Sequence, residues 1–592
     1  MENNEEIGKF ARIETMLKMS HLEQYVSRVV NCTSRYNNSN SYSYAPINLV
    51  GKYVKYPSYG DFPEAYFLRS YGKWWKKSEA YQSEYRPQDL DRLGAEDYVT
   101  LEFESAVVPR DICIYEIYNP GAVIRIWCKV LCPSKRPWVL LWEGAPQECP
   151  HKTRKFHPKN QLTIRLEVNQ SLLEYHWSVD AVLLGGCQPS TDLQYNMMLK
   201  GLVGGCCNEL QKRLQTSDVC DIKSCNEDYF LNLPYEVILH IFQYLDLKSL
   251  SRCAQVNKRW NQAAADPVLY QDLSLKTYWY LVDCTTLQHF MSKCKTLKKL
   301  DLSWCGNDLD GFSEQLKLFL RKGCSTLTHL SLGNCEYIDI ELMVEISLCK
   351  ELVDLRLKNI NQWLQPPLDR LTKLVSLDVT STDIQDSDLI KILKANSNLK
   401  HIVIGVYASL SVVWGELLQV LVTDLCENLF FLDQVVETAV TYNKSLVSWS
   451  SWKTLSLTAD GVRMFRECTN LKELDLGWCL INKDPGDCLE QVAGGCKQLK
   501  RLILSGWRGL NDNLVMPAVL SCKELSQLDL LGIKNISADV CEKALLLLPK
   551  LRLLDISFCN SIPQEEVEIW RQQYPHITIQ RSCQYVVTDY LN

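Results

Sequence analysis

Three patterns predict a multidomain fold: an antiparallel β-sandwich, then a short α-helical module, then an α/β solenoid. Between Tyr98 and Leu184, short apolar runs alternate with polar residues at the period of a strand. Between Val237 and Leu245, apolar residues recur at helical spacing. From Leu297 onward the chain repeats Leu-x-x-Leu-x-Leu-x-x-Cys at intervals of about 22 to 30 residues, the period of leucine-rich repeats. The expected segments are 1–44 (a helix and a polar stretch), 45–187 (sandwich), 188–228 (linker), 229–275 (helical module), 276–580 (repeats) and 581–592 (tail).

Length and composition set the bounds. A chain of 592 residues holds about three or four domains, each long enough to bury a core. Hydrophobic content of 46% and charged content of 23% are those of globular proteins. A net charge of −6 gives no reason to expect nucleic acid or a membrane surface as partner. The 26 cysteines fall mostly inside repeats and strands, not in a compact framework, which points to reduced intracellular thiols. Met1 to Val26 carries Glu2, Glu5 and Glu6 and no apolar run, so neither a signal peptide nor an Arg-rich presequence is expected there. No stretch has the length and apolarity of a membrane span.

In the N-terminal third, Leu17 to Val30 fits a short helix and Asn37 to Ser43 a loop. Strands follow at Tyr98–Glu104, Ile112–Tyr118, Val123–Trp127, Trp138–Trp142, Leu162–Val168 and Ala181–Leu184, with Asn119-Pro120-Gly121 as a turn. Six short strands with turn punctuation predict a sandwich of jelly-roll, galactose-binding-like kind. Tyr66, Phe67, Tyr71, Trp74 and Trp75 either line an end-loop pocket or supply core area. Cys128, Cys132, Cys149, His151 and His157 lie near one another, but their spacing is not that of a zinc site, and no metal or cofactor is expected. The linker offers one amphipathic helix, Leu193 to Leu214, and the cysteines Cys206, Cys207, Cys220 and Cys225.

The helical module starts at Pro234, where a first turn tolerates a missing N–H, with Glu236 near the positive helix end. Val237, Ile238, Ile241, Phe242 and Leu245 form one apolar face, and a second helix fits from Leu247 to about Ala264. Helices this short leave apolar surface for docking or for a larger core. The order Leu-Pro-x-Glu-Val-x-x-x-Ile-Phe-x-Tyr-Leu from Leu233, then Leu247-x-x-Leu250, then Val256-Asn257-x-x-Trp260, closely resembles the F-box. That resemblance implies docking on the Skp1 adaptor, and through it on cullin 1 and a RING subunit, by Leu233, Pro234, Val237, Ile238, Ile241 and Leu245.

In the repeats, the motif beginning at Leu297 recurs from Leu327, Leu352, Leu374, Leu399, Leu471, Leu499, Leu525 and Leu551. Each unit predicts a strand with inward leucines and an outer helix, and the terminal cysteine is small and polar enough to satisfy backbone at the turn. From Val406 to Trp452 the pattern blurs, with Leu429-x-x-Leu432 and Trp452-x-x-Leu455-x-Leu457 read as two degraded units, so about ten or eleven units are expected. Residues between the leucines project from the concave face, which makes Asp301, His329, Arg356, Asp378, Asp475, Arg501, Asp529 and Asp555 candidates to read a protein target. Five of these aspartates share one register and predict either an acidic ladder for a basic partner or merely a solvated strand. Trp304, Trp478, Phe558 and, one residue later in its unit, Trp507 serve as packing or as anchors.

Sandwich, F-box and cysteine-ended leucine repeats in this order are similar to an F-box and leucine-rich-repeat family. Tyr71–Trp75, Tyr118–Ile126, Arg165–Asn169 and Ser171–Tyr175 carry the likeness beyond architecture. It implies substrate recognition in a Skp1-cullin-F-box ubiquitin ligase, mitochondrial association and control of mitophagy receptors. Since Met1 to Val26 lacks a targeting pattern, the cytoplasm is the expected location, with the outer mitochondrial surface and the nucleus as alternatives. No phosphate loop, zinc helix or nucleophile elbow occurs, so the chain is expected to be a non-catalytic receptor. A ligase-independent scaffold on Skp1 and a ligand-binding sandwich are the rival readings.

Overall fold

The computed structural model describes residues 21–33, 44–68, 72–78, 85–105, 107–129, 138–149, 152–156, 164–173, 176–187, 233–307, 309–323, 325–360, 367–382, 384–404, 431–454, 456–479 and 484–582. The chain divides into two compact units. Residues 1–32, 42–70 and 95–244 form one, and residues 33–41, 71–94 and 245–592 form the other.

Among its described residues the first unit holds a curled antiparallel sheet of nine strands: β1 (His21–Cys32), β2 (Tyr66–Phe67), β3 (Asp97–Phe103), β4 (Val108–Tyr118), β5 (Val123–Lys129), β6 (Trp138–Glu143), β7 (Arg154–Phe156), β8 (Ile164–Val168) and β9 (Ser178–Cys187). Their order is β6-β5-β8-β3-β1-β9-β4-β7, with β2 also on β9. The helix expected at 17–30 is a strand where it is described. Its first half pairs with β9 and its second half with β3, so β1 passes from one layer to the other through bulges near Val26 and Val29. Neighbours on both sides and the β-branched Val26, Val29 and Val30 outweigh the local helical pattern. The layers close on Val99, Leu101, Ile112, Ile114, Ile126, Leu166, Trp177 and Val182, each at most 2% exposed.

Two buried carboxylates of this unit are paired with arginines. Arg125 meets Glu167 at 2.9 Å, and Glu116 meets Arg154 at 3.0 Å while accepting from the Trp177 indole at 2.8 Å. Of the aromatic set, Tyr66, Phe67 and Trp74 are buried packing residues, whereas Tyr71 and the Trp75 side chain lie outside the described residues. Of the five zinc candidates only Cys128 and Cys149 are described. Burial pushes the Cys128 thiol up to about 12, and Cys149 accepts a hydrogen bond from Arg154 at 3.2 Å. The linker helix at 193–214 also lies outside the described residues.

The second unit is a parallel solenoid. Its strands are β10 (Asp272–Ser274), β11 (Lys299–Asp301), β12 (His329–Ser331), β13 (Asp354–Arg356), β14 (Ser376–Asp378), β15 (His401–Val403), β16 (Ser448–Ser450), β17 (Glu473–Asp475), β18 (Arg501–Ile503), β19 (Gln527–Asp529), β20 (Leu553–Asp555) and β21 (Thr578–Gln580). The middle residues stack in register, from Leu273 and Leu300 through Leu528, Leu554 and Ile579. Each of these inward side chains is nearly or fully buried, and a leucine so placed contributes about 2 kcal/mol.

Among the described residues the array has twelve rungs, where about ten or eleven units were expected. The extra pairing comes from β10, ahead of the first clear motif, and from the last strand, β21. In the blurred region Leu432 lies on the helix Phe431–Tyr442, and the rung is β16, with fully buried Trp449 in the leucine place. The Trp452 motif, read as a degraded unit, lies beyond that rung. An indole where a leucine was sought hid it.

Candidate functional site

The helical module has three short helices: α1 (Tyr235–Phe242), α2 (Leu247–Cys253) and α3 (Lys258–Ala264). The single second helix expected from Leu247 to Ala264 is therefore broken. Asn257 takes an extended backbone and its side chain accepts the Trp260 N–H at 2.8 Å, which starts α3 afresh. Asp246 caps α2 in the same way, through Ser249 N–H at 2.7 Å.

Helix α1 begins on Pro234, whose carbonyl accepts from Val237 and Ile238. Ile238 and Phe242 are buried, at 1% and 3% exposure. Val237 at 40%, Ile241 at 37% and Tyr244 at 70% stand open on one line at helical spacing. The six expected docking residues therefore separate. Val237 and Ile241 are exposed with Pro234, Leu233 and Leu245 are half-buried, and Ile238 is core. Tyr244 was missed, although its position seven residues after Val237 is the periodic signal that could have found it. In the second unit, Val256 is 61% exposed at the break between α2 and α3.

The eight expected residues of the concave face are placed as strand positions in register, but most are engaged within the array. Asp301, Asp378, Asp475, Asp529 and Asp555 each accept the backbone N–H two residues on, at 2.8 to 3.1 Å. Those bonds hold the turn, where the chain becomes left-handed at Trp304, Asn334, Asn359, Ser381, Lys453, Trp478, Gly506, Gly532 and Phe558. One residue on from Trp304, Asn334, Trp478 and Phe558, the Cys305, Cys335, Cys479 and Cys559 thiols donate to carbonyls of the preceding unit at 2.9 to 3.4 Å. Trp304, Trp478 and Phe558 are thus turn residues, while Trp507 is fully buried and donates to the Leu476 carbonyl at 2.8 Å.

The remaining members differ in exposure. Arg356 grips Asp354 through two bonds of 2.9 Å, and Arg501 spans Gln527 at 2.8 Å and Glu473 at 3.3 Å. Asp529 and Asp555 face each other on adjacent strands with exposures of 1% and 0%. Burial, and then the neighbouring Asp555, raises the Asp529 carboxyl well above the usual range. Only His329, Arg356 and Asp378 of the eight stay half-open.

Part of the concave side is met by the chain itself. Ser78 donates to Glu473 on β17 at 2.9 Å, the Tyr85 hydroxyl to the Leu300 carbonyl at 3.4 Å, and Arg86 N–H to Asp272 on β10 at 3.1 Å. These residues precede β3 in sequence but belong to the array unit. The expected sandwich bounds, 45–187, include them, and the structure assigns them elsewhere.

Small helices with an exposed apolar line, ahead in sequence of a parallel leucine-repeat array, are the architecture of an F-box and leucine-rich-repeat protein. Family models agree: F-box-like matches residues 230–276, and Leucine Rich repeat matches 293–306, 370–393 and 467–484. The chain belongs to the F-box/LRR-repeat protein family. It is 30% identical over 529 residues to F-box/LRR-repeat protein 4 of Bos taurus, covering 83% of this chain and 80% of that protein. A shorter match, 38% over 87 residues, is to F-box/WD repeat-containing protein 8 of Homo sapiens, covering 12% of this chain and 14% of that one. Among solved structures, a chain of the yeast Rad7 and Elc1 complex aligns with 64% of this chain and 97% of its own, at 15% identity and a TM-score of 0.35. An internalin of Listeria monocytogenes aligns with 48% of this chain and 69% of its own, at 15% identity and a TM-score of 0.30.

Proposed function

We propose that this chain is the non-catalytic target-recognition subunit of a Skp1-cullin-F-box ubiquitin ligase. One observation carries the proposal: the F-box-like segment presents Val237, Ile241 and Tyr244 to solvent in a line, an apolar surface that folding alone leaves uncovered. Skp1 covers that line, and cullin 1 with its RING subunit follows through Skp1. The repeat array holds the protein target, with His329, Arg356 and Asp378 as the expected concave residues left open enough to touch it. The rate gain is proximity, because the transferring cysteine belongs to another subunit. A place in mitochondrial quality control is a finer proposal that rests on the family resemblance.

Affinity purification of the full chain tests the assignment. Wild type recovers Skp1 together with cullin 1, and Val237→Glu with Ile241→Glu loses both by at least tenfold while the melting temperature holds. Recovery of Skp1 without cullin 1 would establish the scaffold reading instead. Undiminished recovery by the double variant would remove α1 from the interface.

A further inference from the structure

Residues 85–92 carry a role that neither the F-box-like match nor the repeat pattern assigns. They precede β3, yet their hydrogen bonds run to two other places at once: the start of α2 and the first rung of the array. On the α2 side, the Leu90 N–H donates to Asp246 Oδ2 at 2.9 Å, while the other oxygen of that carboxylate caps α2. The Arg86 guanidinium donates to the Leu245 carbonyl, and Leu247 N–H donates to the Gln88 carbonyl at 3.1 Å. On the array side, the Gln88 carbonyl also takes the Tyr278 hydroxyl at 2.9 Å, and the Gln88 amide donates to the Asp272 carbonyl at 3.3 Å. Arg92 reaches the Tyr280 hydroxyl at 2.7 Å and lies 5.1 Å from the centre of that ring.

Two of these residues are shielded from water. Gln88 is 5% exposed and Asp246 3%. Burial alone would raise the Asp246 carboxyl, but the Leu90 N–H and the two Ser249 donors hold it below its ordinary value. The Gln88 carbonyl accepts from both sides, from Leu247 N–H and from the Tyr278 hydroxyl, which makes the segment a shared third element and not a loop lying on one of them. Pro87 stiffens the stretch by fixing its own backbone.

We propose that Tyr85–Arg92 is a tie that sets the orientation of α2 and α3 relative to the repeat array, with Arg86, Gln88 and Leu90 as positioning residues. The tie is testable without any partner. Single-molecule energy transfer on the full chain reads it, between dyes on genetically encoded azide residues at exposed Gln262 of α3 and Leu546 of an outer helix. Wild type gives one narrow efficiency peak. Arg86→Ala with Gln88→Ala widens it at least twofold, while the melting temperature of the array stays within two degrees, and Arg86→Lys keeps the narrow peak by restoring the donor to Leu245. Leu90→Pro, which removes the N–H given to Asp246 and fixes the local backbone at an exposed position, is the second variant should the double one misfold, and it also widens the peak. An unchanged width in both variants overturns the tie. Since no Skp1 is present, failure of adaptor docking would leave this result untouched.

Discussion

The aspartates and cysteines of the repeats share one task, the sharp exit from each strand. A left-handed residue without the freedom of glycine costs about 1 to 2 kcal/mol, and the N–H bond to the aspartate with the thiol bond to a carbonyl offsets that cost. Two residues expose the limits of the device. At Gly506, φ is +75° and an added Cβ would stand 2.6 Å from the Trp478 ring, so Gly506→Ala should lower stability by about 1 to 3 kcal/mol in urea titration. At Asp529 the sign runs against the usual carboxylate. Unfolded, it ionises near pH 4, whereas folded it holds its proton to higher pH, so its presence costs stability as pH rises from about 4 through neutrality. Asp529→Asn keeps the Oδ1 acceptor for Leu531 N–H and should raise stability at pH 8 by about 1 to 2 kcal/mol while changing little at pH 4, as melting curves at the two pH values would show. The aspartate register was legible in the sequence. Its use was not, because alternation says which side a residue takes and says nothing about the backbone donor it meets there.

At the scale of elements, α1 has a buried face and an open one. Ile238 is buried, so Ile238→Ala should cost about 2 to 4 kcal/mol of stability, whereas Val237→Ala on the open face should cost less than about 0.5 kcal/mol, both by chemical denaturation. Equal losses would mean that the two faces are not distinct. Helical spacing revealed the apolar set but not which members face outward, since a buried and an exposed leucine-like residue obey the same period. Helix α2 was legible as well, while its break was not: Asn257 reads as an ordinary polar residue until its backbone is seen to be extended. Strand β1 shows the opposite failure, a helical-looking run overruled by the two strands it joins.

For the whole molecule, order along the chain and membership of a unit part company at residues 71–94. Repeats and sandwich were both visible because each is a local pattern, but hydrogen bonds between residues more than 150 apart leave no periodic trace. A fragment of residues 245–592 loses the donors to Asp246, Asp272 and Glu473. It should melt several degrees below the array transition of the full chain by differential scanning calorimetry, and adding residues 71–94 at its N-terminus should recover part of the difference. An identical transition for the short fragment would show that the excursion contributes nothing to the array.

That excursion also bears on birth at the ribosome. Leu90 leaves the exit tunnel 156 residues ahead of Asp246, and Ser78 leaves 395 residues ahead of Glu473. At about 5 to 20 residues per second, Ser78 waits roughly 20 to 80 s for its counterpart to be synthesised. The strands on either side of the excursion can close first, so Ser78 and Leu90 are to find their partners only after the sheet that flanks them has been synthesised.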